Sequence, residues 1–299
     1  MNVHNDHTSQ DRFLSPRQLA VAIGVSESSL KRWADDGRLA VERTAGGHRR
    51  IPLPEAVRFI RRSGLTPARP ELLELPGVRV VAGATADQAS AADRLYEALL
   101  EDRWAEARSL IMTLYLNGGG LAWLCDDVIR SALARIGELW QHDGRGVFLE
   151  HRATATCARA LTELRLLLPP VGDDAPRAIG GAFEGDVYQV PSAMAGLVLA
   201  EAGYREHDFG ADTPVAALVA ALAHYSPQVV WLSFSVAPRS AREATEVLAS
   251  LADELGGGTL VIGGRGAEGI GLPDRGNVHR FGSMAELSAF ARGAVAGHG

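Results

Sequence analysis

The chain has 299 residues, 46% of them hydrophobic and 22% charged, an ordinary globular composition with room for two or three domains. Its two cysteines are too few for a disulfide scaffold or a cysteine-ligated zinc site, and they suit a reducing compartment. The net charge of −6 argues on average against a nucleic-acid partner. However, residues 1–65 hold eleven Lys/Arg against seven Asp/Glu, a balance of +4, which leaves −10 for the remainder.

Residues 1–12, MNVHNDHTSQDR, are polar throughout and expected to be a disordered tail. They carry no charged-then-apolar leader, and no later run is apolar for long enough to span a bilayer. The expected location is the cytoplasm, with no membrane partner.

Residues 13–65 form the basic head. Ser15 can cap a helix that has Pro16 at its first position, and Leu19, Ala20 and Ile23 give that helix an apolar face. Gly24-Val25-Ser26 makes a tight turn, and the helix SESSLKRWADD follows, ending at Gly37. Arg38–Arg43 and His48–Ile51 read as two strands around Thr44-Ala45-Gly46-Gly47, a hairpin wing. A recognition helix needs exposed polar groups at its N-terminal end. Ser28, Ser29, Lys31 and Arg32 supply them, with Leu30 and Trp33 turned inward and Trp33 as the buried anchor. On the wing, Arg43, His48, Arg49 and Arg50 suit phosphates or a narrow minor groove. The plainer alternative is a small helical domain with a solvated basic face.

The string LKRWADDGRLAVERTAGGHRRI resembles the MerR superfamily of winged helix-turn-helix regulators, and its BldC-like branch most closely. The resemblance implies sequence-specific binding of double-stranded operator or promoter DNA, usually as a dimer or higher oligomer, with RNA polymerase as a further candidate partner. The long dimerising coiled coil of many MerR proteins is not evident, so a homo-oligomer (dimer or tetramer) would have to form through the acidic body.

Residues 66–86 hold three prolines and no sustained period, and read as a linker. From 87 to 168 the chain is Ala/Leu-rich with apolar residues at helical spacing. Breaks at Asp102-Arg103, Asn117–Gly120 and Asp143–Gly146 give a four-helix bundle. After Pro169-Pro170, residues 171–299 alternate AIGGAF, VVWLSF and TLVIGG with helical stretches around 192–203, 213–225 and 239–255. That alternation indicates an α/β, doubly wound (Rossmann-like) parallel sheet domain. The fold class expected for the whole chain is therefore multidomain, with an all-α winged helix-turn-helix head, a four-helix bundle and a doubly wound sheet.

Within the bundle, ELWQHDGRGVFLEHRATAT places Trp140 at the end of the third helix and Glu150-His151 in the first turn of the fourth, able to face one cavity. A bundle followed by an α/β domain, with W-x(9)-E-H at this place, resembles the cobalamin-binding module of methionine synthase, corrinoid proteins and CarH/LitR-type photoreceptor repressors. The resemblance implies that Trp140, Glu150 and His151 line the upper face of a corrin. In that family D-x-H-x-x-G follows the first strand, the His ligates cobalt from below and the Gly lets the nucleotide tail pass. Here Asp186 matches the Asp, Tyr188 stands at the His and Pro191 at the Gly. Ser233 keeps only the first residue of S-x-L, and Gly263-Gly264 is intact. A phenol is a poor substitute for a neutral imidazole, and proline adds a ring where close approach is needed. His-ligated cobalamin binding is therefore expected to be lost. Gln141 stands where CarH-like photoreceptors carry a second His, and His142 is about 100° further round a helix, so light sensing is not expected either.

Three versions of the cofactor stay open: cobalamin in another mode, another tetrapyrrole (haem or bilin) or apolar metabolite, or none. His151, His142 and Cys157 are candidate haem ligands, and Trp140, Phe148 and Tyr188 could line an apolar pocket. Gly264–Gly269 satisfies G-x-G-x-x-G but leaves no room for a dinucleotide-site helix. His207-Asp208 and His224 lack a third ligand at metal spacing. With no nucleophile or phosphate-loop signature, the reading is a ligand-sensing regulator without catalytic residues or metal. The alternative is a corrinoid-binding carrier or methyltransferase-type component.

Overall fold

The computed structural model describes residues 12–73, 75, 88–139 and 145–296. The N-terminal tail, most of the second half of the expected linker and residues 140–144 lie outside that set.

The head opens with β1 (Phe13–Leu14), which sequence patterning did not reveal, and α1 (Pro16–Ile23). Ser15 and Gln18 form a reciprocal capping box, and Gly24 ends α1 at φ 71°, a left-handed conformation that suits glycine. Ser26 then caps α2 (Glu27–Asp35). The first hairpin strand is shorter than expected and the second is shifted by one residue: β2 is Glu42–Arg43 and β3 is Arg49–Pro52, paired Glu42↔Arg50 and Arg43↔Arg49. β1 pairs on the other edge of β3, Leu14 opposite Ile51. Next comes α3 (Leu53–Arg62), which buries Leu53, Ala56, Val57, Phe59 and Ile60. Residues 66–73 pack as part of the head instead of forming a free linker. Pro70–Leu73 makes a 3₁₀ turn with Pro70 and Leu73 buried, and the Arg69 N–H donates to Ala22 O at 2.9 Å.

Four helical segments follow: α4 (Gln88–Leu100), α5 (Trp104–Leu116), the rod formed by α6 (Leu121–Trp123) and its continuation, and α8 (Arg145–Arg165). The continuation is a π-helical stretch, Leu124–Arg130, running into α7 (Ser131–Leu139). Arg145 and Gly146 thus belong to α8 and not to the break before it.

The last part is a parallel sheet: β4 (Arg177–Ala182), α9 (Val190–Glu201), β5 (Arg205–Asp208), α10 (Val215–Tyr225), β6 (Val229–Ser233), α11 (Ala241–Leu255), β7 (Thr259–Gly263), β8 (Val278–Phe281) and α12 (Met284–Ala296). Strand order is β5-β4-β6-β7-β8 with every pairing parallel. The chain winds outward from β4 in one direction and then, from β6, in the other. The crevice beyond the carboxyl ends of β4 and β6 is therefore a topological switch point, where such sheets bind ligands.

One continuous apolar core runs from the head through α4–α8 to the sheet face covered by α9 and α12. A second lies under α10 and α11 on the opposite face. Among the described residues, no helix is long and apolar enough to cross a membrane.

Candidate functional site

Two groups of residues carry chemistry. The first is the exposed face of the head. Ser26 Oγ accepts the Ser29 N–H at 3.1 Å and lies 2.8 and 2.9 Å from the Ser28 and Ser29 hydroxyls. Both hydroxyls are therefore engaged with the helix cap. Lys31 is exposed and pairs with Glu27 one turn back at 3.0 Å, while Arg32 is exposed beside it. Leu30 is buried as expected, but Trp33 is only half-buried. Its ring packs on Phe59, centroids 5.2 Å apart, with the Arg38 guanidinium 5.6 Å from its face.

On the hairpin, the Thr44 N–H donates to His48 O at 2.9 Å, and Gly47 closes the turn at φ 79°. Arg43, His48 and Arg50 are exposed or nearly so, with Arg50 5.8 Å from the Phe13 ring centroid. Arg49 behaves differently. Its side chain is largely buried, pairs with Asp35 and donates to Lys31 O at 3.3 Å, so it ties the hairpin to α2. The sequence reading also missed a basic cleft of about 260 Å³ between α3 and Arg38, lined by Arg38, Glu55, Arg58, Phe59, Arg62 and Ser63. These residues come from two separated segments, and no local motif announces the cleft.

The second group lies in the helical layer and the switch-point crevice. Glu150 and His151 sit in the second turn of α8, not the first, because the helix begins at Arg145. Glu150 is mostly buried, whereas His151 is 75% exposed. The two do not converge inward together. His151 Nδ1 is 2.8 Å from Val147 O and 3.0 Å from Glu150 Oε2. With two acceptors beside it, Nδ1 is placed to donate. Phe148 is also exposed and stacks loosely on Arg152. Trp140 and His142, the other residues expected at this face, lie outside the described residues.

At the crevice, Asp186 is buried, and its two oxygens accept the N–H groups of Tyr188, at 3.0 Å, and Ser235. It thereby clamps the loop after β4 to the loop after β6. Tyr188 is half-buried. The buried hydroxyls of Ser233 and Ser235 have no hydrogen-bond partner among the described residues. At Gly264, φ is 99° and a Cβ would lie 2.3 Å from Phe234 O, so only glycine lets the loops after β6 and β7 close on each other. A Cβ on neighbouring Gly263 would lie 3.0 Å from Phe281 O on β8. Among the described residues no group of three His, Cys, Asp or Glu is poised to hold a metal.

Cobalamin held by a protein imidazole does not fit these residues. Tyr188 stands where the motif resemblance would place the His, and the Asp186 carboxylate is spent on backbone N–H groups. Pro191 falls in the first turn of α9, where proline costs no hydrogen bond but its ring takes up space. Beneath α9, the Trp231 indole fills the layer against the sheet. A Cβ on Gly180 would lie 2.3 Å from that ring and one on Gly196 3.3 Å, and Nε1 donates to Ser192 Oγ at 2.9 Å.

The structure thus joins a helical layer to a doubly wound parallel sheet whose crevice lies at the switch point. Residues 91–165 match the family model of the B12 binding domain. The HTH-type transcriptional repressor CarA of Myxococcus xanthus is 35% identical over 118 residues, 40% of this chain and 40% of the repressor. The match therefore spans well under half the length of that relative. Among solved structures, the monomethylamine corrinoid protein of Methanosarcina barkeri superposes with a TM-score of 0.51 at 18% identity, covering 69% of this chain and 99% of that one. The chain is thus similar to CarH-like regulators that carry a cobalamin-binding module.

Proposed function

We propose that the protein is a transcription regulator that binds duplex DNA and is not an enzyme. Residues 13–65 are read as a MerR-type winged helix-turn-helix, residues 87–168 as a four-helix cap and residues 171–299 as the α/β half of a ligand-sensing, oligomerising module. Lys31, Arg32, Arg43, His48 and Arg50 would meet DNA, with Ser28 and Ser29 at the leading end of α2. Arg38, Arg58 and Arg62 add to the positive field of the head.

The observation that carries this reading is the joining of α2 to an arginine-bearing hairpin through Arg49, with Ser28, Lys31, Arg32, Arg43, His48 and Arg50 exposed on a +4 head joined to a −10 body. The similarity to a transcriptional repressor supports it. A carrier or methyltransferase role is disfavoured by Tyr188, since that role needs a corrinoid held for turnover.

Titrating the full chain with duplexes selected from a random pool, at several salt concentrations, tests the proposal. Affinity that falls steeply with salt and weakens in the Arg32→Ala/Arg50→Ala variant is expected. Duplex binding that is absent, or indifferent to both changes, would overturn it. The visible spectrum of the protein as expressed, and after incubation with hydroxocobalamin, reports the ligand class; a methyl-transfer activity of the corrin-loaded protein would favour the carrier instead.

A further inference from the structure

The head is held to the body by more than chain connection. Arg61, in the last turn of α3, reaches out of the head to the place where helical layer and sheet layer meet. Its guanidinium lies 3.8 Å from the Tyr115 ring centroid on α5. Nη1 donates to Tyr115 O and, at 2.9 Å, to Gly119 O. Nη2 is 3.6 Å from Glu201 Oε1 at the end of α9, whose Oε2 is 3.3 Å from Arg292 of α12. Arg61 and Glu201 are only 18% and 17% exposed.

The chemistry of this joint is specific. The last carbonyls of α5 lack partners inside their helix and carry its negative end, which a cation satisfies. Arginine's planar fork can serve two carbonyls and a carboxylate together, whereas a lysine ammonium is a single point charge. Gly119 shapes the turn that offers its carbonyl: a Cβ there would lie 2.8 Å from Leu114 O and 2.9 Å from the Trp123 ring. Phe59, Ile60 and Leu73 of the head share one apolar core with Leu110 of α5 and Val198 of α9. Lys31, Arg32, Arg43 and Arg50 meanwhile stay exposed. Docking the head therefore leaves the proposed DNA face uncovered.

We propose that Arg61 is a positioning residue: it fixes the direction in which the head presents α2 and the hairpin, and it couples that direction to the packing of α5 against α9 and α12. Sliding the helical layer over the sheet would part the Tyr115 and Gly119 carbonyls from Glu201, and Arg61 cannot follow both. The geometry stands independently, while the consequence for DNA rests on the function proposed above.

The test uses the full chain with spin labels at Val21→Cys and Arg242→Cys, one exposed site on the head and one on α11; the native cysteines are buried. The parent should give one narrow distance distribution, and Arg61→Met one about twofold broader, as expected of domains freed to move. Arg61→Lys should fall between them, and Glu201→Gln should broaden less. Affinity for a duplex with one selected half-site should stay unchanged in Arg61→Met. The preference among two-site duplexes of different spacing should flatten by roughly tenfold, because head geometry sets the effective concentration of the second site.

A distribution as narrow in Arg61→Met as in the parent overturns the proposal, whatever the DNA result. Broadening in a protein that binds no duplex upholds the joint and defeats the DNA-reading function. Should Arg61→Met unfold the head, Glu201→Gln carries the same measurement, and an unchanged width there overturns the proposal.

Discussion

Asp126 receives the backbone N–H of Met284 on one carboxylate oxygen at 3.1 Å, and that of Ala285 on the other at 3.0 Å. The partners are 158 residues apart in sequence, and the contact joins the helical layer to the last helix of the sheet layer. Asp126 sits in the π-helical stretch and is 8% exposed, so its charge is directed almost wholly at the positive end of α12. Arg130 balances it at 3.7 Å from the side.

Asp126→Ala should therefore destabilise the body by about 1–2 kcal/mol, the range of a lost helix cap with its dipole interaction. That corresponds to a melting temperature lower by about 2–8 °C. Asp126→Asn keeps an acceptor oxygen and should lose less. Thermal denaturation of the two variants checks the order, and equal losses would show that charge alone matters.

Arg49 and Arg50 are neighbours with different work. Arg50 faces solvent, whereas Arg49 is tied to Asp35 and the Lys31 carbonyl. Arg50→Ala should weaken duplex binding and make the salt dependence shallower by about one counterion. Arg49→Ala should instead lower head stability by about 0.5–1 kcal/mol, as for a partly exposed ion pair. Its effect on DNA would follow from a loosened hairpin. Urea denaturation and salt-dependent titration of both variants separate the two roles, and identical behaviour would refute the distinction.

The sequence exposed what is local. Ser15, Ser26 and Gly24 announce two helices and their turn, and the alternation of β-rich runs with helical stretches announces the parallel sheet. It could not show that Arg49 turns back onto Asp35, because adjacent arginines on a strand look alike until the facing helix is placed. Nor did it reveal β1, whose Phe13 and Leu14 are strand-like only opposite Pro52 and Ile51. The helical start at Arg145 was hidden by glycines at 144 and 146, and that shift carried Glu150 and His151 into the second turn. Tyr188 and Pro191 were legible as departures from a motif. The indole that fills the space beneath α9 was not, since Trp231 in VVWLSF reads only as a buried strand residue.

Burial and charge around Tyr115 set an alkaline limit on stability. Burial, and secondarily Glu201, push its phenol up to about 12 against the opposing pull of Arg61. The folded protein thus favours the neutral phenol. Its contribution is complete below the ordinary tyrosine value near 10 and is lost as pH rises through 12. Stability should fall by roughly 2–3 kcal/mol across that window, and tyrosinate absorbance from Tyr115 should appear together with unfolding. Buried Cys157, pushed up to about 12, and Cys125, raised further still, should both resist a thiol reagent at neutral pH until the chain unfolds. Tyr115→Phe should remove its share of the alkaline loss, leaving the part due to the buried thiols, and a curve unchanged by that substitution would contradict the assignment.

Restoring the missing imidazole should not by itself restore a corrinoid site. Tyr188→His supplies a nitrogen, but Pro191 still fills the start of α9 and Trp231 still fills the layer between that helix and Gly180. Even Tyr188→His/Pro191→Gly should fail to retain hydroxocobalamin through desalting. Adding Trp231→Val should open the layer at a cost of about 3 kcal/mol or more in stability, and that triple variant should hold colour if it stays folded. The visible spectrum after desalting reads each step, with circular dichroism to confirm folding. Stoichiometric corrin retained by Tyr188→His alone would mean that the indole is not the obstacle, and that the lost ligand is the whole difference between this crevice and a corrinoid-binding one.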